Sequence, residues 1–120
     1  MTLIHELKTL PYYFALVKSG QKTFEIRHND RQFNQGDYVR LRECDPLFRG
    51  YSGRNLLFKI GFVDDNTGFE EMLGTSLLKK DYVVFSLIPT ESVTCEKCKR
   101  LFPPEYVIVG SWVCYECKKI

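Results

Sequence analysis

Two groups of residues in this 120-residue chain have the types and spacing to do chemistry. Cys95-Glu-Lys-Cys98 and Cys114-Tyr-Glu-Cys117 are CxxC pairs separated by fifteen residues. Each pair presents two sulfurs from a tight knuckle, and two knuckles at this spacing wrap one tetrahedral zinc ion. The same four thiols would serve for two disulfides, but the N-terminus carries no secretion signal to an oxidising compartment. Four sulfurs fill the coordination sphere of zinc and leave no place for water, so the metal is expected to be structural. A segment of ~30 residues has too little core to fold alone, and zinc would supply most of its folding free energy. Cys44 lies outside this framework and reads as a buried free thiol.

The second group lies in Ser19-Gly-Gln-Lys-Thr-Phe-Glu-Ile-Arg-His-Asn-Asp-Arg31, where Phe24 and Ile26 alternate with charges. On a strand, Thr23, Glu25 and Arg27 share one face, and Phe24 and Ile26 the other. Glu25 and Arg27 are then about 7 Å apart at Cα, close enough to pair. Lys22 sits at the mouth of the strand, where twist swings it toward the same side. Glu6 and Lys8 likewise share a face of an earlier strand. Either this ionic face is solvated and held by weak surface pairs, or it binds something.

The elements that must position these groups are legible in outline. Leu3–Lys8 reads as a strand. A helix follows, with Pro11 in its first turn, Gly20 at its C′ position, and Leu10, Tyr13, Phe14 and Val17 packing inward. Strands are predicted over 23–28, 38–44, 56–63 with a bend near Gly61, and 82–88 ended by Pro89. Asn34–Asp37 is a turn, 45–53 an irregular Gly- and Pro-containing loop, and 64–80 too short on pattern for a firm helix. Tyr106–Val109 and Trp112-Val113 are strand-like and complete a zinc ribbon. The expected architecture is α+β: a curled sheet or partly open barrel with one main helix over residues 1–89, and the ribbon over 90–120.

The chain is of single-domain size, with ordinary apolar (44%) and charged (27%) fractions that argue against disorder. No apolar run approaches a membrane span, so a cytoplasmic location without a membrane partner is expected. The formal charge of +2 falls to about zero once four thiolates hold one zinc. Nucleic acid would have to be held by a local patch instead of the whole-molecule field. Arg40, Arg42, Arg49 and Arg54 offer such a patch, against Glu43 and Asp45. Tyr38 and Tyr51 lie near it, for base stacking or for core packing.

Gly20-x-Lys22-x-x-Glu25-x-Arg27 resembles the signature of ASCH domains, a branch of the PUA-like superfamily. His5–Lys8, Lys22–Phe33, Gly36–Glu43, Tyr51–Arg54 and Asp81–Leu87 extend the resemblance, in order, to a phage and bacterial subgroup of unknown function. The resemblance covers roughly residues 3–88 and leaves the ribbon outside. It implies a PUA-like pseudo-barrel whose signature residues, here Lys22, Glu25 and Arg27, face a cleft for RNA or a nucleotide. Lys8 and Arg54 join them as candidate ligand contacts.

Three functions are consistent with these residues. The first is an RNA- or nucleotide-binding module. The second is an enzyme: a ribonuclease using His5, Lys22 and Glu25, or an amidohydrolase of the family's lysine–threonine–glutamate type. Glu25 stands where that threonine is expected, Thr23 is one residue out of phase, and Glu70 or Glu71 would have to supply the acid, so the amidohydrolase is disfavoured. The third is an adaptor that binds a protein through the ribbon, which exposed Trp112 or Tyr115 would favour.

Overall fold

The computed structural model describes residues 2–47, 50–108 and 110–118. Strand β1 (Ile4–Thr9) leads into helix α1 (Pro11–Lys18), followed by β2 (Phe24–His28), β3 (Tyr38–Asp45), β4 (Gly50–Asp64), α2 (Thr67–Leu73) and β5 (Tyr82–Pro89). These strands form one curled, half-barrel sheet in the order β1-β3-β4-β5-β2. Only the β1–β3 pair in it is parallel. The mixed α+β class and all five predicted strands of this sheet are present. Leu7, Val17, Phe33, Val39, Leu41, Ile60, Val83, Phe85 and Leu87 fill its concave side.

Helix α1 starts and stops where its residue types demand. Pro11 takes the first turn, where its missing N–H leaves nothing unpaired. Gly20, at φ 84°, ends the helix by donating its N–H to the Val17 carbonyl. Phe14 and Val17 are buried as expected, but Leu10 and Tyr13 are half exposed. Leu10 is the extended N-cap (φ −61°, ψ 149°), so it falls off the helical stripe, and Tyr13 sits at the stripe's margin. Both side chains line a cleft instead.

The predicted 45–53 loop is a correction. β3 continues to Asp45 and β4 begins at Gly50, with Asp45 opposite Gly50 and Cys44 opposite Tyr51. Glycines at φ 68° (Gly50) and 93° (Gly53) let the hairpin turn and bulge without breaking the strand. Ser52, Gly53 and Arg54 together oppose Glu43 alone, which turns the Arg54 side chain onto Glu43. The bend expected near Gly61 is a second bulge, with the register shifting between Ile60 and Val63. Residues 67–73 do form a helix, closed by Gly74 at φ 72°. Cys44 is buried and free, as expected.

The remaining residues form two short hairpins, β6 (Val93–Thr94) with β7 (Leu101–Phe102) and β8 (Val107–Ile108) with β9 (Val113–Cys114). A 3-10 turn (Pro104–Tyr106) precedes β8, and α3 (Tyr115–Lys118) follows β9. Val109, expected to end the first ribbon strand, lies outside the described residues. This segment packs on the β1–β3 end of the sheet, and Ile4 of β1 joins its small core of Cys95, Phe102, Val107 and Cys114. Arg40, only 2% exposed, is the main tie. Its Nε and Nη2 donate to the Leu101 carbonyl at 2.9 and 2.7 Å, Nη1 meets Glu6 Oε1 at 2.5 Å, and the guanidinium lies over the Phe102 ring. Arg100 reaches the same Glu6 oxygen at 2.9 Å. Burial would raise the Glu6 pKa, but Arg100 and Arg40 outweigh it and hold the carboxyl below its ordinary range. No described helix is long and apolar enough to cross a membrane.

Candidate functional site

The curl of the sheet brings its two edge strands, β1 and β2, within side-chain reach. Arg27 Nη2 donates to the Lys8 carbonyl at 3.0 Å, and Arg31 Nη1 donates to the Glu6 carbonyl. Carbonyls two residues apart lie on the same edge of a strand, so guanidiniums close this edge where a ladder would otherwise run. Between the edges and α1 lies an open cleft of about 510 Å³. That is within the size range of small-molecule sites.

The ionic side of β2 is the buried one. Glu25 is 4% exposed, whereas Phe24 and Ile26 are 42% and 47% exposed. An edge strand facing another edge has no second layer over its apolar side, so these side chains become cleft wall. Glu25 Oε1 accepts from Lys22 Nζ at 2.9 Å, and Oε2 accepts from Arg27 Nε at 2.9 Å. Lys22 also donates to the Phe24 carbonyl at 2.6 Å, and its ammonium lies 4.9 Å from the Phe24 ring centroid. The helix exit aims it there, because the Lys22 N–H is tied to the Leu16 carbonyl.

Lys8, Lys22, Glu25 and Arg27 are thus brought together, and Leu10, Tyr13 and Phe24 supply apolar wall. Thr9 also lines the cleft, and its buried Oγ1 has no hydrogen-bond partner. Sequence reasoning passed over Thr9. The available signal was the alternation His5, Leu7, Thr9, which points a hydroxyl inward at the end of β1.

Arg54 is a correction: it does not line this cleft but holds Glu43 with Nε and Nη2 at 2.9 and 2.7 Å. The expected basic patch does not assemble either. Arg40 is buried under the cysteine segment, Arg42 stacks on Tyr51 beside Glu6, and Arg49 lies outside the described residues. Tyr38 is buried and donates to Glu105, so it is not a stacking platform. His5 is buried against Phe33 with Nε2 2.9 Å from Asp37, and it does not line the cleft. Neither do Thr23, Glu70 and Glu71, all of them exposed. The lysine, threonine and acid of the hydrolase reading are therefore not brought together.

The Arg54 pair yields a pH prediction. Hydrogen bonds from Arg54, then from Ser52, hold the Glu43 carboxyl below its ordinary 4.5, against burial. A depressed folded-state pKa contributes stability that is present above the unfolded value and lost as pH falls through the folded one. The stability deficit of Glu43→Gln relative to the parent should therefore shrink as the pH drops from about 6 to about 3. Urea midpoints at several pH values measure it, and a deficit independent of pH would refute the assignment.

The second group of residues converges as its spacing requires. Sulfur atoms of Cys95, Cys98, Cys114 and Cys117 all lie within 4.8 Å of one another, with Cys95–Cys117 at 3.8 Å and Cys98–Cys114 at 4.0 Å. A disulfide needs ~2.05 Å, whereas ~2.3 Å metal–sulfur bonds at the tetrahedral angle put sulfurs about 3.8 Å apart. The donor set thus fits one metal ion and not two disulfides. Burial would raise the Cys95 pKa, but the N–H groups of Cys114 and Cys98, with others of the knuckle, bring it down to about 6. Those N–H groups stand 3.4 and 3.5 Å from its sulfur, as a thiolate ligand requires.

A family model described as a domain of unknown function, DUF3850, matches residues 4–87. The chain belongs to the DUF3850 family. The DUF3850 match runs from the start of β1 nearly to the end of β5, so it contains all of the sheet but the last two residues of β5, and every residue of the cleft. The cysteine segment lies beyond it. The chain is also similar to an uncharacterized 12.9 kDa protein in the GpA 3′ region of Escherichia phage P2, 37% identical over 65 residues. That alignment takes in 54% of this chain and 58% of the phage protein, so the chain spans less than two thirds of this relative.

Proposed function

We propose that this DUF3850 chain is a binding module for RNA or a modified nucleotide, with the β1–β2–α1 cleft as its site. The observation that carries the reading is buried Glu25 pinning Lys22 and Arg27 beside the exposed rings of Tyr13 and Phe24. A carboxylate that fixes two cations leaves a preorganised site of net positive charge, which suits phosphate. The rings offer a sequence-tolerant platform for a base. The Gly20-x-Lys22-x-x-Glu25-x-Arg27 signature and the curled sheet support an ASCH-type, PUA-like reading of the fold. We read residues 1–89 and 90–120 as two folding units, the second held by structural zinc on Cys95, Cys98, Cys114 and Cys117.

Lys22→Ala and Arg27→Ala should each weaken binding of a single-stranded RNA oligonucleotide by roughly tenfold or more, the worth of one charged hydrogen bond at ~1.5–3 kcal/mol. Fluorescence anisotropy measures the affinity and thermal melting the stability. Unchanged affinity in both variants, or unfolding by either, would defeat the binding assignment. A second reading, a protein adaptor, rests on the exposure of Trp112 and Tyr115 in the ribbon. No measurable RNA affinity in the parent chain would favour it.

A further inference from the structure

A second cleft, of about 340 Å³, opens on the other flank of α1. Three separate parts of the chain build it. Helix α1 contributes Phe14 and Lys18, the β4 bulge contributes Arg54, and the cysteine knuckle contributes Lys99 and, from β7, Leu101. Tyr13 faces the first cleft and Lys18 the second, and residues five apart lie ~140° apart around a helix of 3.6 residues per turn. Phe14 is buried under Arg54, whose guanidinium lies 5.2 Å from its ring centroid.

The charge of this cleft is positive. Lys18, Arg54 and Lys99 line it, and Glu43, which is not one of its walls, offsets one of these charges by holding Arg54 with both oxygens. Among the described residues, neither Lys18 nor Lys99 has a carboxylate within 4.0 Å. Lys99 is held at φ 63° by its N–H bond to the Cys95 carbonyl, 2.9 Å away, so the metal knuckle itself presents this lysine. The first cleft has the same balance, with Lys8, Lys22 and Arg27 against Glu25. Two cationic clefts flank one helix ~10–12 Å across. A free nucleotide meets one of them, whereas a chain of phosphates meets both.

We infer that the second cleft holds the sugar–phosphate backbone of a single-stranded RNA whose base occupies the first, and that the ligand is a polymer instead of a free nucleotide. The inference rests on the binding function proposed for the first cleft. It also assigns the metal segment a role beyond its own folding, because that segment delivers one wall and one cation.

The test uses the full, metal-loaded chain, a mixed-sequence single-stranded RNA 12-mer, and the four ribonucleoside monophosphates. Lys18→Gln/Lys99→Asn removes two charges from exposed positions, and asparagine tolerates the left-handed backbone at residue 99. Metal content and melting temperature should match the parent. For the 12-mer, the slope of log K against log salt should fall by about 1.4, two phosphates at ~0.7 each, and the affinity by about tenfold at low salt. Binding of the monophosphates should not change. An unaltered salt slope for the 12-mer overturns the inference while leaving the first cleft in place. Parent chain that binds a monophosphate as tightly as the 12-mer overturns it in the same way. Binding of neither probe overturns the function of the first cleft, and the second falls with it.

Discussion

Replacing Cys95 with serine is expected to abolish metal binding, from one ion per chain to less than a tenth, and to unfold the segment from about residue 93 onward. Cys95 is fully buried, at the centre of its small core, and its sulfur accepts two backbone N–H groups while facing the other three thiols. Structural zinc contributes roughly 10–16 kcal/mol in domains of this size, far more than Phe102, Val107 and their few neighbours recover by burial. Chelation of the parent should act in the same way. Hydrogen exchange resolves the outcome by region: amides of β6 to β9 should lose protection, while those of β3, β4 and β5 keep theirs. The sheet keeps its own core, but it loses a lid. Arg40 and Tyr38 become exposed, and Glu6 is left with fewer fixed partners. Purified protein that is metal-free and four mass units light, as two disulfides require, would sink this account.

The second large effect should come from Glu25→Ala. The carboxylate is buried and serves two cations, so its removal leaves an ammonium and a guanidinium facing one another without an anion. Breaking a buried pair costs ~3–5 kcal/mol. The value here should lie toward the lower end, because Lys22 and Arg27 remain partly open to solvent. For a chain of this size that lowers the melting temperature by on the order of 10 °C. Lys22→Ala or Arg27→Ala should cost much less, since either leaves Glu25 one cation. The ordering of the three melting temperatures is the measurement. A Glu25→Ala protein that melts within about 2 °C of the parent would show that the triad is not a stability element.

Both predictions begin from residues that the sequence displays, but they depend on it to different degrees. The four-cysteine cluster is legible because CxxC geometry is local: two residues between sulfurs set each knuckle, and one metal-sized gap joins them. The helix ends at Pro11 and Gly20, the five strands of the sheet and the bend near Gly61 are legible for the same reason, since period and backbone freedom act over a few residues. The pairing of Glu25 with Arg27 follows from strand geometry, whereas Lys22, outside β2, joins them because the helix exit ties its N–H to the Leu16 carbonyl.

Which face of β2 turns inward is not a local property. Alternation separates Glu25 from Phe24 and Ile26, but only the return of β2 alongside β1, through a sheet that orders its strands β1-β3-β4-β5-β2, buries the charge and exposes the rings. The fates of the arginines are decided in the same way. Arg40, Arg42 and Arg54 are close in sequence and look like one patch. A chain segment some sixty residues away covers Arg40, β1 supplies Glu6 to Arg42, and a bulge of two extra residues on β4 gives Arg54 to Glu43. Charge neutralisation by long-range partners leaves no trace in composition or spacing, because it depends on which strands become neighbours. The orphan hydroxyl of Thr9 is equally silent in sequence. A threonine at the end of a strand is ordinary until the fold closes around it without supplying a partner.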